Sequence, residues 1–293
     1  MEQHHFDIVN HATPRLESMD KALGRGKYTD DLKLPNMAYA ALMHCPHSHA
    51  KVLSIDVSEA EKVPGFLGCA LPEEAPQAYF NCSGNPPSPL LMADEKVLTT
   101  EPLTIGDRVA VVAAETEEAA RAAAEAVKVE YENLAPIIDV KAALADNAPA
   151  MQPHLSDTNV VQRREVSQGD IAVGEEKSDI ILEDHFVTPP MQHTMIELTC
   201  CICDFSDGEH MTIYSCSQTV FQERRILAEL FGLKEVDVHI IKPLVGAGFG
   251  ARQQLHAQHA AALISRKINR PACLAAGAVA PHPVVMAETA AKI

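Results

Sequence analysis

The feature that most constrains the fold is a glycine-rich loop at residues 245–251 (VGAGFGA). It lies between a predicted strand at 236–241 and a predicted helix at about 252–267. Glycines at such a junction let backbone N–H groups approach a ligand at a helix N-terminus. A dinucleotide-binding loop also requires an acidic residue roughly 20 positions further on, but no Asp or Glu occurs between Asp237 and Glu288. The loop therefore predicts either a tight strand-to-helix turn or backbone donors for an oxyanion or a metal oxo group.

The length and charge of the chain exclude several classes of protein. Its 293 residues, 47% of them apolar, suit two globular domains with packed cores. The formal net charge of −16 disfavours nucleic acid and anionic membranes as partners, because both are bound by basic surfaces. Tryptophan is absent and aromatic residues make up only 4%, so no platform for base stacking is indicated.

The sequence also bears on the cellular compartment. The N-terminal residues MEQHHFDIVNHATPRLES lack an apolar signal core, and no apolar run is long enough to cross a membrane. Eight cysteines occur without such a signal, which predicts reduced thiols rather than a disulfide framework. Together these observations predict a cytoplasmic location.

Helix and strand patterns divide the chain into two segments. The first, residues 20–145, contains an alanine-rich helix at 115–127 with an acidic first turn. Polar residues and prolines between about 142 and 169 predict a linker. The second segment, residues 165–274, contains an amphipathic helix at 219–231, followed by Gly232 as a C-terminal cap. The predicted strands are residues 37–43, 51–57, 66–71, 108–114, 127–131, 179–187, 198–205, 211–216 and 236–241. This order of elements predicts the α+β class.

Two clusters of potential metal ligands have simpler interpretations. Residues 44–49 (HCPHSH) lack further ligands at the spacing of a closed tetrahedral site, which favours a polar loop between strands. Residues 200–203 (CCIC) suggest an iron–sulfur ligand set. Neighbouring residues of a strand point to opposite faces, so Cys200 and Cys201 are not placed to bind one metal together. We therefore interpret these cysteines as buried free thiols.

A further polar motif lies at residues 192–197 (QHTMIE), where His193 and Glu197 are four positions apart. It is compatible with a catalytic dyad and with a buried polar network that orients a loop. The motifs of serine hydrolases, P-loop nucleotide triphosphatases and zinc proteases do not occur in the sequence.

Five stretches of the chain, taken in order, resemble the molybdenum hydroxylases, the xanthine dehydrogenase/aldehyde oxidase family. The resemblance covers about residues 20–274, and the order of the motifs makes it more specific than any one of them. The stretches are 24–31 (GRGKYTDD), 44–52 (HCPHSHAKV), 105–110 (IGDRVA) with 129–132 (VEYE), 192–197 (QHTMIE), and Ser217-Gln218 with 245–250 (VGAGFG).

The resemblance implies a fold and a domain organisation. Residues 20–145 would form an α/β-hammerhead domain, and residues 165–274 the first part of a molybdopterin-binding α+β domain. The family pattern ends at about Leu274, which predicts a divergent tail at residues 275–293. The family's large subunit continues for several hundred residues more, so the resemblance predicts a truncated or split subunit.

The resemblance also implies roles for single residues. Gln218 matches a glutamine that faces the oxo group of the metal. Gly248, Phe249 and Gly250 match the loop whose amides and aromatic ring line the molybdenum site. Gln253 matches the substrate-binding glutamate of purine-oxidising members, and because glutamine does not ionise, a purine bound in that way is disfavoured. No residue matches the family's general base, so the catalytic residue stays unknown.

The reaction implied by the resemblance is hydroxylation of an N-heterocycle (purine-like or nicotinate-like) or an aldehyde, with water as the oxygen source. The implied cofactor is molybdenum-molybdopterin in its cytosine dinucleotide form. The implied partners are an iron–sulfur (2Fe-2S) subunit, an FAD subunit and the remainder of the molybdenum subunit. The alternatives are a non-catalytic remnant and a dinucleotide-binding protein that uses the Gly246 to Ala251 loop. Ala247 replaces the middle glycine of the family loop, which we expect to be tolerated if its φ is negative.

Overall fold

A computed structural model describes residues 7–82, 92–160, 165–187, 194–276 and 288–292. Gln192 and His193 of the predicted polar network lie outside these residues, as does most of the predicted tail. The strands are β1 (Ala38–His44), β2 (Ala50–Asp56), β3 (Phe66–Ala70), β4 (Arg108–Ala114), β5 (Lys128–Asn133), β6 (Glu183–Val187), β7 (Thr199–Asp204), β8 (Met211–Ser215), β9 (Val238–Ile241), β10 (Ala272–Ala276) and β11 (Glu288–Lys292). The helices are α1 (Ser18–Ala22), α2 (Glu117–Ala126), α3 (Val140–Ala143), α4 (Ile171–Glu176), α5 (Val220–Phe231) and α6 (Gln258–Ile268).

Seven of the strands form one mixed sheet in the order β3-β4-β1-β10-β7-β8-β9. Neighbouring strands are antiparallel except β1 with β10 and β8 with β9. Strand β10 lies at the centre and places Leu274 between Ala40 of β1 and Cys201 of β7. Strands from both sequence segments therefore share one sheet. The pairs β2–β5 and β6–β11 are separate.

Helices pack on both faces of this sheet. Alternate residues of β4 point to opposite faces, so Val111 and Ala113 join the core under α6, whereas Ala110 and Val112 join the core under α2. Every residue of β4 is buried as a result. Helix α6 carries small side chains in its first two turns, which lets it pack closely on the sheet.

The ends of the helices test the sequence predictions locally. Helix α5 ends as predicted, with Gly232 in the left-handed conformation at φ 68°. The predicted start of the last helix near residue 252 is wrong. A 3-10 turn occupies Ala251–Gln253, and α6 begins only at Gln258. The side-chain oxygen of Gln258 accepts the N–H groups of His256 (2.8 Å) and Ala257 (2.9 Å), which stabilises the non-helical residues before it.

Candidate active site

The site begins at the turn between β8 and α5, which carries Gln218. The backbone N–H of Gln218 donates to the carbonyl of Arg252 at 2.9 Å. This bond ties the turn to the 3-10 turn that follows the glycine loop. The side chain of Gln218 is exposed, while Ser217 before it is buried. The turn is therefore fixed in the core on one side and presents a carboxamide on the other.

The glycine loop packs directly against that carboxamide. The N–H of Gly250 donates to Oε1 of Gln218 at 3.2 Å. A Cβ on Gly248 would collide with the same carboxamide, so only glycine fits there without a shift. Because Oε1 already accepts a hydrogen bond, the Nε2 amino group is the part of Gln218 that is oriented to donate to a ligand. The structure thus brings together Gln218, Gly248 and Gly250, to which the resemblance gives a cofactor-binding role.

Ala247 departs from the expectation that its φ is negative. Its φ is +127°, a region that side-chain-bearing residues rarely adopt. Phe249 also has a positive φ, at +47°, and Gly250 follows at +90°. The condition placed on Ala247 is therefore not met, and the loop stores backbone strain at this position.

Two further residues hold the loop in place: Glu197, which the sequence analysis placed in the 192–197 motif, and Arg252, which it did not select. Arg252 is 2% exposed, and its guanidinium donates to the carbonyls of Ala247 (2.9 Å) and Glu197 (2.6 Å) and contacts the thiol of Cys216. It also pairs with the carboxylate of Glu197 at 3.4 Å. The other contact of that carboxylate is with the N–H of Gly246 at 2.7 Å.

The Glu197 carboxylate is held between these two partners. Burial raises its pKa, while the Gly246 N–H and the Arg252 charge oppose that shift. A Cβ on Gly246 would approach the Cβ of Glu197 to 2.8 Å, so this glycine is also required by a close contact. The only sequence signal for Arg252 was its position directly after the glycine loop. The direction of its side chain could not be predicted from the sequence.

Phe249 and Gln253 form the outer edge of the site. The ring of Phe249 is 72% exposed, and the side chain of Gln253 is exposed as well. The hydroxyl of Thr219, next to Gln218, donates to the carbonyl of Gln253 at 3.4 Å, so the two turns are adjacent. The side chains that face outward are all neutral; they are those of Gln218, Phe249 and Gln253.

The arrangement fits a molybdopterin-type metal cofactor. An oxygen-rich metal centre requires neutral donors that are held still, and Gln218 is such a donor because Gly250 fixes its carboxamide. The carboxamide can lie this close to the loop because Gly248 carries no side chain. Gln218 and Phe249 would face the metal, and Gly248 and Gly250 would line the cofactor.

A buried carboxylate lies one turn into α5. Glu223 is 3% exposed, and its side-chain oxygens make no hydrogen bond of regular geometry within the described residues, although polar side chains lie close to them. Burial raises its pKa to about 7, and the nearby Ser217, Ser215 and Gln258 side chains only partly oppose this shift. Glu223 is therefore protonated in much of the protein near neutral pH. The sequence pattern of α5 gave no signal for it.

In the described residues, neither the 44–49 segment nor the 200–203 segment gathers its own side chains around one metal position. The Nδ1 atoms of His44 and His49 donate to the carbonyls of Gly106 (2.6 Å) and Ala135 (2.8 Å), and the ring of His47 packs against Tyr131. Residues 45–49 connect β1 to β2, as the predicted polar loop between strands. All eight cysteines are free and buried, and Cys200 and Cys201 belong to different core clusters, as predicted.

Comparison with known proteins gives two family matches that together span most of the chain. Residues 23–135 match the aldehyde oxidase and xanthine dehydrogenase a/b hammerhead domain, and residues 153–277 match the molybdopterin cofactor-binding domain. The second match contains Gln218 and the glycine loop. The chain belongs to the molybdenum hydroxylase family, with the hammerhead and molybdopterin-binding regions of the N-terminal portion of its large subunit.

Individual relatives support this assignment. The xanthine dehydrogenase molybdenum-binding subunit of Escherichia coli is 30% identical over 87% of this chain and 34% of its own length. The nicotinate dehydrogenase large molybdopterin subunit of Eubacterium barkeri is 27% identical over 91% of this chain and 60% of its own length. The solved aldehyde oxidoreductase of Desulfovibrio gigas superimposes with a TM-score of 0.81 at 26% identity, over 90% of this chain and 30% of that one.

The chain spans between about a third and three fifths of the length of these relatives. The α+β fold, with a hammerhead region followed by a molybdopterin-binding region, agrees with the prediction from sequence. In the part of the chain that the structure describes, none of the helices has the length and apolarity of a membrane span.

Proposed function

We propose that this chain forms the molybdenum-facing part of a hydroxylase that oxidises an N-heterocycle or an aldehyde, with water as the oxygen source. The observation that carries the proposal is the Gly250 to Gln218 hydrogen bond, which holds a neutral, exposed carboxamide donor against the glycine loop. The relatives named for xanthine, nicotinate and aldehyde substrates support the substrate classes. When bound, the molybdenum cofactor supplies the two-electron oxidation.

The chain's own residues have distinct tasks in this proposal. Gln218 donates from Nε2 and is kept from rotating by Gly250. The exposed ring of Phe249 would pack against the bound cofactor as an apolar contact. Gln253 lies at the substrate side, where an uncharged carboxamide selects substrates that need no ionised partner. Glutamine at position 253 disfavours a purine substrate of the kind that is bound through a glutamate.

The proposal extends to the cofactor form, partners and location. We propose the cytosine dinucleotide form of molybdopterin, with 2Fe-2S and FAD carried by partner subunits that transfer the electrons. Two relatives are named as subunits, which supports an assembly of several polypeptides. The remainder of the molybdenum subunit, continuous with this chain or separate, would complete the cofactor cavity. A cytoplasmic location is supported by the eight free thiols.

The dinucleotide-binding alternative has less support from the geometry. A pyrophosphate requires several free N–H groups in the loop. The N–H of Gly246 is bonded to Glu197, and the N–H of Gly250 is bonded to Gln218. Titration with NAD that gives a heat or fluorescence change would revive this alternative, and we expect no change.

Turnover with an artificial electron acceptor tests the proposal. The chain is assayed alone and together with the polypeptide that corresponds to the rest of its relatives' length, using an aldehyde and nicotinate as substrates. We expect activity only from the combination, and we expect Gln218→Ala to lower it roughly 100-fold, as for loss of one fixed donor at a reacting centre. Gln168→Ala, at an exposed position remote in sequence, is the matched control. An inactive but fully assembled combination would support the non-catalytic remnant instead.

A further inference from the structure

A second cluster of possible ligands lies on another part of the sheet. Cys200 on β7, Cys273 on β10 and Asp30 on a 3-10 turn place one ligand atom each within 4.8 Å of the others. Both thiols are 3% exposed, whereas Asp30 is exposed. Nothing in the hydroxylase chemistry uses these residues. We propose that they form a binding site for one zinc-class divalent cation.

The distance between the two sulfur atoms matches a shared metal. The Sγ atoms of Cys200 and Cys273 are 3.8 Å apart. Two thiolates bound to one tetrahedral zinc at about 2.3 Å each have their sulfurs about 3.8 Å apart. Oδ1 of Asp30 is 3.9 Å from the Sγ of Cys200, so a carboxylate oxygen can complete a third position after a small movement.

Strand register argues against a disulfide between the same cysteines. Cys273 is directly opposite Ile202, and Cys200 is directly opposite Ala275, so the two cysteines are diagonal neighbours. Diagonal positions in an antiparallel pair are about 7–8 Å apart, whereas disulfides need Cα atoms within about 7 Å. The register therefore favours a bridging metal over a disulfide, which would have to bring the two sulfur atoms from 3.8 Å to about 2 Å apart.

The surroundings of the cluster suit an ion that enters from solvent. A surface pocket is lined by Asp30, Tyr39, Glu117 and Cys273, among others, and leads to one of the two thiols. A water molecule from this pocket can supply the fourth ligand.

The site would have a structural consequence. Strand β10 joins the two halves of the seven-stranded sheet, and Cys273 lies on it. A metal held by Cys273, Cys200 and Asp30 would fasten β10 to β7 and to the turn at Thr29–Asp31. Binding to the folded chain alone raises its Tm, here by roughly 5 °C at saturating metal.

Titration of the full chain with Co²⁺ in a non-thiol reductant tests the site. Co²⁺ replaces zinc and reports thiolate ligands through sulfur-to-metal charge-transfer absorption. We expect one tetrahedral Co²⁺ per chain, displaced by Zn²⁺, with the band lost in Cys200→Ala and Cys273→Ala. Asp30→Asn, at an exposed position, should keep the band and weaken affinity roughly tenfold. The matched control is Cys201→Ala, a neighbouring cysteine that points to the opposite face and should keep both the band and the affinity.

Several outcomes would overturn the proposal. Absence of a charge-transfer band in the folded wild-type chain is one, and equal loss of the band in Cys201→Ala is another. An Asp30→Asn chain with unchanged affinity would remove the carboxylate from the site. A Cys200–Cys273 disulfide found by mass spectrometry under air, with no cobalt bound under reduction, would show that the strands move and that the pair is redox-active instead. Circular dichroism of each variant separates loss of the site from loss of the fold.

Discussion

The backbone N–H of Gly250 donates a hydrogen bond to Oε1 of Gln218, which lies 32 positions earlier in the chain. This contact joins the turn before α5 to the glycine loop and sets the direction of the Gln218 carboxamide. With its oxygen occupied, the side chain presents an amino group outward. The orientation of the candidate metal-facing residue is therefore decided within this chain.

The close approach of Gly248 to Gln218 predicts the effect of adding one methyl group. Gly248→Ala should lower the free energy of unfolding by about 1 kcal/mol, because the new Cβ displaces the Gln218 carboxamide and breaks its hydrogen bond to Gly250. Gly174→Ala in α4 is the control, since a Cβ there meets nothing and alanine favours the helix. Urea unfolding of both variants measures the difference, and equal effects would show that the loop adapts freely.

The strained conformation of Ala247 predicts a stabilising substitution. Ala247→Gly should raise the free energy of unfolding by about 1 kcal/mol, because glycine adopts a φ of +127° without the steric cost. Ala251→Gly, four positions later and without a positive φ, should instead lower it by about 0.5–1 kcal/mol through backbone entropy. Thermal unfolding measures the change in stability of each variant. A lower stability in both variants would contradict the backbone strain at Ala247.

The buried pair of Arg252 and Glu197 predicts strong coupling. Arg252→Met should cost about 3–5 kcal/mol of stability, because it leaves a largely buried carboxylate without its cation and removes donors from backbone carbonyls. Glu197→Gln in the same chain should recover part of that cost. A double-mutant cycle in urea measures the coupling, which we expect to be about 1–3 kcal/mol. Strictly additive losses would mean that the pair contributes nothing.

The buried carboxyl group of Glu223 predicts a pH dependence. Burial raises its pKa in the folded chain from 4.5 to about 7, so the folded state binds more protons than the unfolded state between these values. The contribution of Glu223 to the free energy of unfolding is therefore fully present below pH 4.5. It falls by about 3 kcal/mol as the pH rises from 4.5 through 7.

Glu223→Gln isolates this contribution because it keeps the shape and removes the titration. The variant should unfold at higher urea concentration than the wild type at pH 8 and at a similar concentration at pH 4.5. The difference between the two proteins, followed across this range, is the measurement. A constant difference at all pH values would show that Glu223 does not titrate between 4.5 and 7.

Local sequence patterns predicted much of the fold, because they depend on neighbouring residues. The amphipathic period of α5 and the glycine after it correctly indicated a helix that ends at Gly232. The start of α6 was wrong because Gln258 bonds to the two N–H groups before it and keeps them out of the helix. The hydrogen-bond partners of a side chain cannot be predicted from the periodic pattern of apolar residues.

The candidate site was predicted only in part, for a related reason. Gln218 and the glycine loop follow from motif order, but the positive φ of Ala247 and the inward direction of Arg252 depend on how two distant turns meet. The pairing of Cys200 with Cys273 depends on strand register across 73 positions. Contacts between residues so far apart in the chain produce no local sequence pattern.

The molybdenum content of the assembled protein tests the central claim most directly. The chain is produced in a host that makes molybdopterin, together with the polypeptide that completes its relatives' length, and the purified complex is analysed for metal. We predict stoichiometric molybdenum for the wild type and for Gly174→Ala, and a marked loss for Gly248→Ala, whose new methyl group displaces Gln218. A folded, assembled complex without molybdenum would contradict the assignment of Gln218 and the glycine loop as a cofactor site.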